Sequence, residues 1–186
     1  MSEFSRPYPL FSVCGLNCGL CPMHIGAYCP GCGGGPGNQP CKIARCSQQH
    51  NAVEYCFECA EFPCSHYDGI EEYDSFITHR HQCQDLVRAK AIGIEAYKAE
   101  LEDKMLILRY LLDNFNDGRK KNLFCIAVNL LALEDVKAVI EKISAVTNSN
   151  NISQKEKSAL MAEAFERTAA ERAIVLKLNK KPKKNP

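Results

Sequence analysis

The chain has 186 residues, enough for one compact domain or a small module joined to a second, and its 46% hydrophobic content is ordinary for a globular protein. With 23 Lys and Arg against 22 Asp and Glu, the formal net charge of +1 supplies no strong field for nucleic acid or an anionic membrane. The unusual quantity is twelve cysteines, ten of which fall between Cys14 and Cys64.

The opening stretch, MSEFSRPYPLFSVCG, has no apolar segment behind a basic start, so no secretory signal is expected. No apolar run reaches the length of a membrane span. A cytoplasmic setting is therefore expected, in which thiols stay reduced. Metal ligation is then a better reading of the cysteines than disulfide bonding.

Residues 12–66 are dense in Cys, Gly and Pro, and Gly33, Gly34, Gly35, Pro36, Gly37 and Pro40 argue against a long regular element there. The large aliphatic and Phe side chains of this segment are Val13, Leu16, Leu20, Met23, Ile25, Ile43, Val53, Phe57 and Phe62. So few scattered side chains do not offset the entropy of ordering the segment, and bound metal is expected to supply the difference.

From Gln84 onward the pattern turns helical. Asp85–Ala91 reads as a short helix stopped near Gly93. Apolar residues at 94, 97, 101, 105, 108, 112 and 115 mark one buried face of a helix over Ile94–Phe115. Leu106, Ile107 and Leu111 widen that face and predict a central helix, with Gly118 as its stop. Arg119–Leu131 and Glu134–Val146 read as two further helices, and Asn148–Asn151 as a loop. Ser153 with Glu156 forms a capping box that opens a last helix, predicted to run to about Leu178. The lysine-rich tail from Lys180 is expected to be disordered, and a solubilising role is its default reading. The expected fold is mainly α: an irregular cysteine-rich, metal-bound N-terminal module (12–66) packed on a C-terminal helical bundle (84–178), with a basic tail (179–186).

The cysteine spacings carry the chemistry. Cys18/Cys21, Cys29/Cys32 and Cys56/Cys59 are pairs with two-residue gaps, a spacing that lets a tight turn aim two sulfurs at one ion while following backbone N–H groups donate to sulfur. Cys41 and Cys46 form a looser pair, and Cys14 and Cys64 flank the set. Zinc takes four ligands in a tetrahedron, so four pairs make two sites. The two remaining cysteines could join a third ion with His24, His50 or His66, bridge two metals, or stay free. Sequential pairing would join 18/21 with 29/32 and 41/46 with 56/59. Crossed pairing, which would lock the segment as one unit, joins 18/21 with 41/46 and 29/32 with 56/59.

Thiolates suit zinc and iron–sulfur clusters alike. Zinc, two or three ions, is the expected cofactor, with an iron–sulfur cluster as the alternative. Cys14-x-x-x-Cys18-x-x-Cys21 has the gaps of the radical-SAM cluster motif, but the helical remainder lacks the alternating strands and helices that such enzymes use.

The runs Cys14-Gly-Leu-Asn-Cys-Gly-Leu-Cys-Pro22, Cys29-Pro-Gly-Cys32, Cys41-Lys-Ile-Ala-Arg-Cys46 and Cys56-Phe-Glu-Cys-Ala-Glu-Phe-Pro-Cys64 resemble a cysteine-rich family of anaerobic bacteria and archaea, a domain of unknown function (three-seven-nine-five) whose members carry a zinc-binding label. The resemblance covers about residues 12–98. The stretch Asn116–Leu131 is similar to the helical extension of one subgroup; many relatives end instead in another cysteine-rich ribbon, which this chain lacks. The resemblance implies metal binding by Cys14, Cys18, Cys21, Cys29, Cys32, Cys41, Cys46, Cys56, Cys59 and Cys64, and no activity.

Outside that set, His79 and His81 read as surface or capping residues, Cys125 as a small core residue among apolar neighbours, and Cys83 as a further candidate ligand. A glycine run at Gly31–Gly37 lacks the frame of a phosphate loop and reads as a link between ligands. Asn116-Asp-Gly-Arg119 reads as a helix-ending turn. Three readings of function follow: a zinc module serving structure or protein interaction; an iron–sulfur redox or electron-carrier protein of anaerobic metabolism; and an enzyme using Cys64 or Cys83 beside His66 or His79. The expected partner is an unidentified protein rather than nucleic acid or membrane, and no catalytic motif stands in its structural context.

Overall fold

A computed structural model describes residues 4–35, 41–148 and 152–182. Among these the regular structure is helical, with no strand. The helices are α1 (Pro22–Ile25), α2 (Lys42–Gln49), α3 (Gln82–Ile92), α4 (Ile94–Phe115), α5 (Lys121–Leu130), α6 (Leu133–Asn148) and α7 (Gln154–Glu171). Single 3₁₀ turns stand at Cys18–Leu20, Cys56–Glu58 and Ser65–Tyr67. No helix among the described residues is long and apolar enough to cross a membrane.

The chain divides into two compact units. The first comprises Met1–Glu102 and Leu178–Pro186, and the second Asp103–Lys177. The boundary falls inside α4, beyond the change of composition near Gln84.

In the first unit the cysteine segment is built on aromatic side chains drawn from its flanks. Phe11 stacks on Tyr55 at 5.4 Å between centroids and lies 4.6 Å from Tyr97 of α4. Phe11, Tyr55, Leu20, Val13 and Leu86 are fully buried. The nine apolar residues counted within 12–66 therefore understate the core, because Phe4, Phe11, Tyr97 and the inner face of α3 complete it. Among the described residues of the segment the longest regular element is α2, at eight residues. Tyr97 Oη donates to Asn17 Oδ1 at 3.0 Å, and Asn17 Nδ2 donates to Asp85 Oδ2 at 2.9 Å, tying the segment to α3 and α4. Gly15 makes this approach feasible: it sits at φ +94°, and a methyl group there would overlap the Gln82 carbonyl.

In the second unit the sequence places α4 at the centre, but α5 occupies it. Phe124 to Leu130 are all buried, whereas Leu106 of α4 is 65% exposed. The physical reason is composition: α5 carries no charged side chain between Asn122 and Leu130, so it can be enclosed on every side. Phe124 meets Phe165 of α7 edge-on at 6.1 Å. The capping box at the start of α7 is present, with the Ser153 hydroxyl accepting from the Glu156 amide. The helix ends at Glu171, short of the expected Leu178, because Ala173 turns to φ +56°.

The start of the tail is held, contrary to expectation. Asp74 N donates to Asn179 O and Asn179 N to Asp74 Oδ2, both at 2.7 Å, and Lys180 Nζ donates to Ser75 O. Residues 183–186 and 149–151 lie outside the described set, as do Pro36 and Gly37 of the glycine link.

Candidate metal centre

Two of the three close pairs fold as their spacing predicts. The Cys21 amide donates to Cys18 O and the Cys59 amide to Cys56 O, each at 3.0 Å, so each gap closes one 3₁₀ turn. The third pair is tied outward: the Cys32 amide donates to Pro9 O at 2.9 Å, and the Cys29 amide to Met23 O at 3.2 Å. Gly31, at φ +92°, lets the chain pass close to Pro9.

All ten thiols are free of disulfides, and eight of them gather in two neighbourhoods. The inner one lies in the core with Phe4, Val13, Ile43 and Ala44; Cys14 and Cys32 are buried there, with Cys18, Cys41 and Cys56 packed against the cluster. Burial pushes the Cys14 thiol up to about 11; the nearby Cys32 and Cys41 thiols push the same way, while hydrogen bonds from Ser12 and the Leu16 amide favour its ionised form. Ser12 Oγ stands 3.1 Å from Cys14 Sγ. Cys18 is raised well above the ordinary thiol range by burial, then by Cys32, Cys14 and Cys21, against a backbone hydrogen bond from Cys32. Burial raises Cys32 as well, while a backbone hydrogen bond from Val13 and the Arg6 guanidinium favour its thiolate.

The outer neighbourhood surrounds a cleft of about 20 Å³, room for roughly one water-sized body. Cys46, Cys56, Cys59 and Cys64 line it with His50, His66 and an apolar wall that includes Ile43, Phe62 and Tyr67. Burial raises the Cys46 thiol, with Cys64 and Cys59 adding to it. Cys56 is pushed up to about 12 by burial, against a hydrogen bond from Tyr67 and with Cys14, Cys64 and Cys46 adding to it. Tyr67 Oη also donates to Cys14 O at 3.3 Å, so it stands where the two neighbourhoods meet. His50 Nδ1 lies 3.0 Å from Cys46 O and 3.5 Å from Cys46 Sγ.

The looser pair is divided between the neighbourhoods. Cys41 precedes α2 and adds to the charge around Cys14 and Cys32, whereas Cys46 faces Cys59 and Cys64. Residues five apart on a helix point about 140° away from each other. A four-residue gap spanned by helix thus separates two sulfurs, where the same gap in a loop would join them.

As placed, no group of three or more His, Cys, Asp or Glu side chains among the described residues is close enough to hold an ion. The donor chemistry nonetheless fits a soft cation. Sulfurs crowded by like groups are surrounded by amide, hydroxyl and guanidinium donors that favour the thiolate.

The other candidates lie elsewhere. His79 is occupied structurally: its amide donates to Asp74 Oδ1 at 2.7 Å and its Nε2 stands 2.9 Å from Ser75 Oγ. His81 precedes α3 without a side-chain cap bond. Burial, then the Glu71 carboxylate, pushes the Cys83 thiol up, opposite to what a nucleophilic cysteine needs. Cys125 is a core residue of α5. Asn116-Asp-Gly-Arg119 is the expected turn, with Asn116 Oδ1 accepting from the Gly118 and Lys120 amides at 3.1 Å each.

Spacing rules singled out none of Arg6, Ser12 or Tyr67, each of which supports the thiols from outside the motifs. Arg6 is 7% exposed; its Nη1 donates to Phe11 O at 2.7 Å and its Nη2 to Glu54 O at 3.0 Å. A lone basic residue ahead of a cysteine cluster carries no pattern that would mark it.

Fold and thiols together define a cysteine-rich, mainly helical protein. No protein-family model matches the chain, and neither does any curated protein or solved structure.

Proposed function

We propose that this protein binds metal, two or three zinc ions, through the ten cysteines between Cys14 and Cys64. Cys14, Cys18, Cys32 and Cys41 form the inner centre, with Cys21 and Cys29 beside it on their CxxC motifs, and Cys46, Cys56, Cys59 and Cys64 form the outer one. The observation that carries this reading is the inner neighbourhood: three sulfurs crowded together in the core, whose thiols burial pushes up while each accepts a backbone hydrogen bond that works the other way, with a buried guanidinium at Cys32. Neutral thiols gain little from such donors, whereas thiolates on a cation need them. The role is structural or for protein interaction, because centres filled by four thiolates hold chain together. The resemblance of the cysteine runs to the zinc-labelled family supports the same reading.

A second reading has its own support. Cys14 and Cys21 both add to the charge around Cys18, so the three residues with iron-type spacing are neighbours in space. The same thiols would then hold an iron–sulfur cluster for electron transfer. Elemental analysis of protein purified under argon without added metal decides between them. Zinc at about two or three per chain and a colourless solution support the first reading. A brown solution with iron supports the second, and absence of both metals contradicts metal binding altogether.

A further inference from the structure

We infer that an acidic cleft formed by Asp68, Glu71 and Glu72 is the docking site of the chain's own lysine-rich segment, Lys181 to Lys184, which lies across it as a strap over the Cys83 thiol.

The cleft has room for an occupant and the charge to select a basic one. It is open, encloses about 550 Å³, and is lined by the three carboxylates together with Cys64, Tyr67 and Cys83. Clefts of roughly 300–1,000 Å³ are of ligand size. No Lys, Arg or His lines it. Among the described residues none of the three carboxylates makes an ion pair. Asp68 and Glu72 are exposed, and Glu71 Oε1 accepts from the Cys83 amide at 3.2 Å. Acidic groups that face one space without a counter-charge attract cations to it.

The backbone delivers lysines to the rim. Asn179 Nδ2 donates to the carbonyl of Glu72, a residue that itself lines the cleft. Asn179 is also clamped by Asp74 through two hydrogen bonds of 2.7 Å. Asp74 is 8% exposed and accepts from the His79 amide with its other oxygen, so the anchor is fixed from the side of the cleft. Lys180 Nζ donates to Ser75 O, and Lys181 is exposed. Extended chain spans about 3.3–3.6 Å per residue, so Lys181, Lys183 and Lys184 can reach about 7–18 Å from Asn179. Pro182 biases Lys181 toward such extended backbone. A tether this short presents its lysines at an effective concentration on the order of millimolar, so ion pairs too weak to hold a free peptide hold the strap.

Cys83 reports on the cover. It is half-buried, lines the cleft and lies outside the ten clustered cysteines, so its reactivity can be followed whether or not those cysteines hold metal.

The test uses the full chain. A water-soluble carbodiimide, which joins a lysine amine to a carboxylate and takes up the water released, is added, and crosslinked peptides are mapped by mass spectrometry. In parallel the alkylation of Cys83 by uncharged iodoacetamide is timed. The expected links join Lys181, Lys183 or Lys184 to Asp68, Glu71 or Glu72. Their yield should not depend on protein concentration and should fall away at about 1 M salt, where charges are screened beyond about 3 Å. The triple variant Lys181→Glu, Lys183→Glu, Lys184→Glu should alkylate at Cys83 several-fold faster than the parent, and Asp68→Asn with Glu72→Gln should do the same from the cleft side. Absence of these links overturns the inference, as does a yield that grows with protein concentration, which would put the segment on another copy. An unchanged Cys83 rate in either variant also overturns it.

Discussion

The guanidinium of Arg6 lies over the ring of Tyr55, 4.8 Å from its centroid, with Tyr55 only 1% exposed. The same group satisfies the carbonyls of Phe11 and Glu54 and faces the Glu54 carboxylate at 3.7 Å. Arg6→Ala removes a buried cation, leaves two carbonyls short of a donor and empties space above Tyr55. Its expected cost is about 2–4 kcal/mol, read from chemical denaturation. Arg6→Lys should recover only part, because one ammonium cannot reproduce the planar fork.

Gly15 and Gly93 share a left-handed backbone, φ +94° and +89°, but only Gly15 is crowded, by Gln82 and Leu86; around Gly93 there is open space. Gly15→Ala should therefore cost about 2–4 kcal/mol, strain plus overlap. Gly93→Ala should cost only about 1 kcal/mol, the strain alone. Equal losses in thermal unfolding would show that crowding against α3 is not what requires glycine at position 15.

Phe165 is fully buried against Phe124, whereas Leu106 is 65% exposed. Phe165→Ala should lower stability by roughly 3–5 kcal/mol. Leu106→Ala should change it by less than about 0.5 kcal/mol. The pair tests the placement of α5 and α7, rather than the flank of α4, at the centre of the second unit.

Arg172 donates two hydrogen bonds to Asp135, at 2.9 and 2.8 Å, and these hold the Asp135 carboxyl below its usual range. A lowered folded-state value means that the pair stabilises fully above the unfolded aspartate value of about 3.9, and that the contribution is lost as pH falls through the lower folded value. Arg172→Met should therefore have a slightly lower Tm than the parent at neutral pH. The gap should narrow as pH is taken from about 5 to about 2. A gap independent of pH would assign the effect to packing instead.

Much of the helical chain is legible in the sequence. The apolar spacing from Ile94 to Phe115 gives α4 to the residue, and Ser153 with Glu156 gives the start of α7. Its end is not legible, because Arg172 and Ala173 are residues a helix tolerates and only the backbone reversal at Ala173 stops it. Periodicity also misplaces the centre of the second unit: it ranks α4 by the width of its apolar face, while burial follows the absence of charge in α5. In the candidate site the motifs are legible and the partition is not. Cys41 and Cys46 look like a pair until the intervening residues are seen to be helical. The aromatic support from Phe11, Tyr55 and Tyr97 comes from three stretches far apart in the chain, and no local pattern announces it.

Protection of thiols by bound metal is the most direct measure of the central claim. Protein prepared under argon is mixed with an aromatic disulfide reagent, with and without prior exposure to a strong chelator, and thiols reacting in the native state are counted. Metal ligation predicts that the ten clustered cysteines react slowly before chelation and rapidly after it, with the cysteine segment becoming protease-sensitive at the same time. Identical thiol kinetics in both samples, with the segment equally resistant to protease, would contradict it.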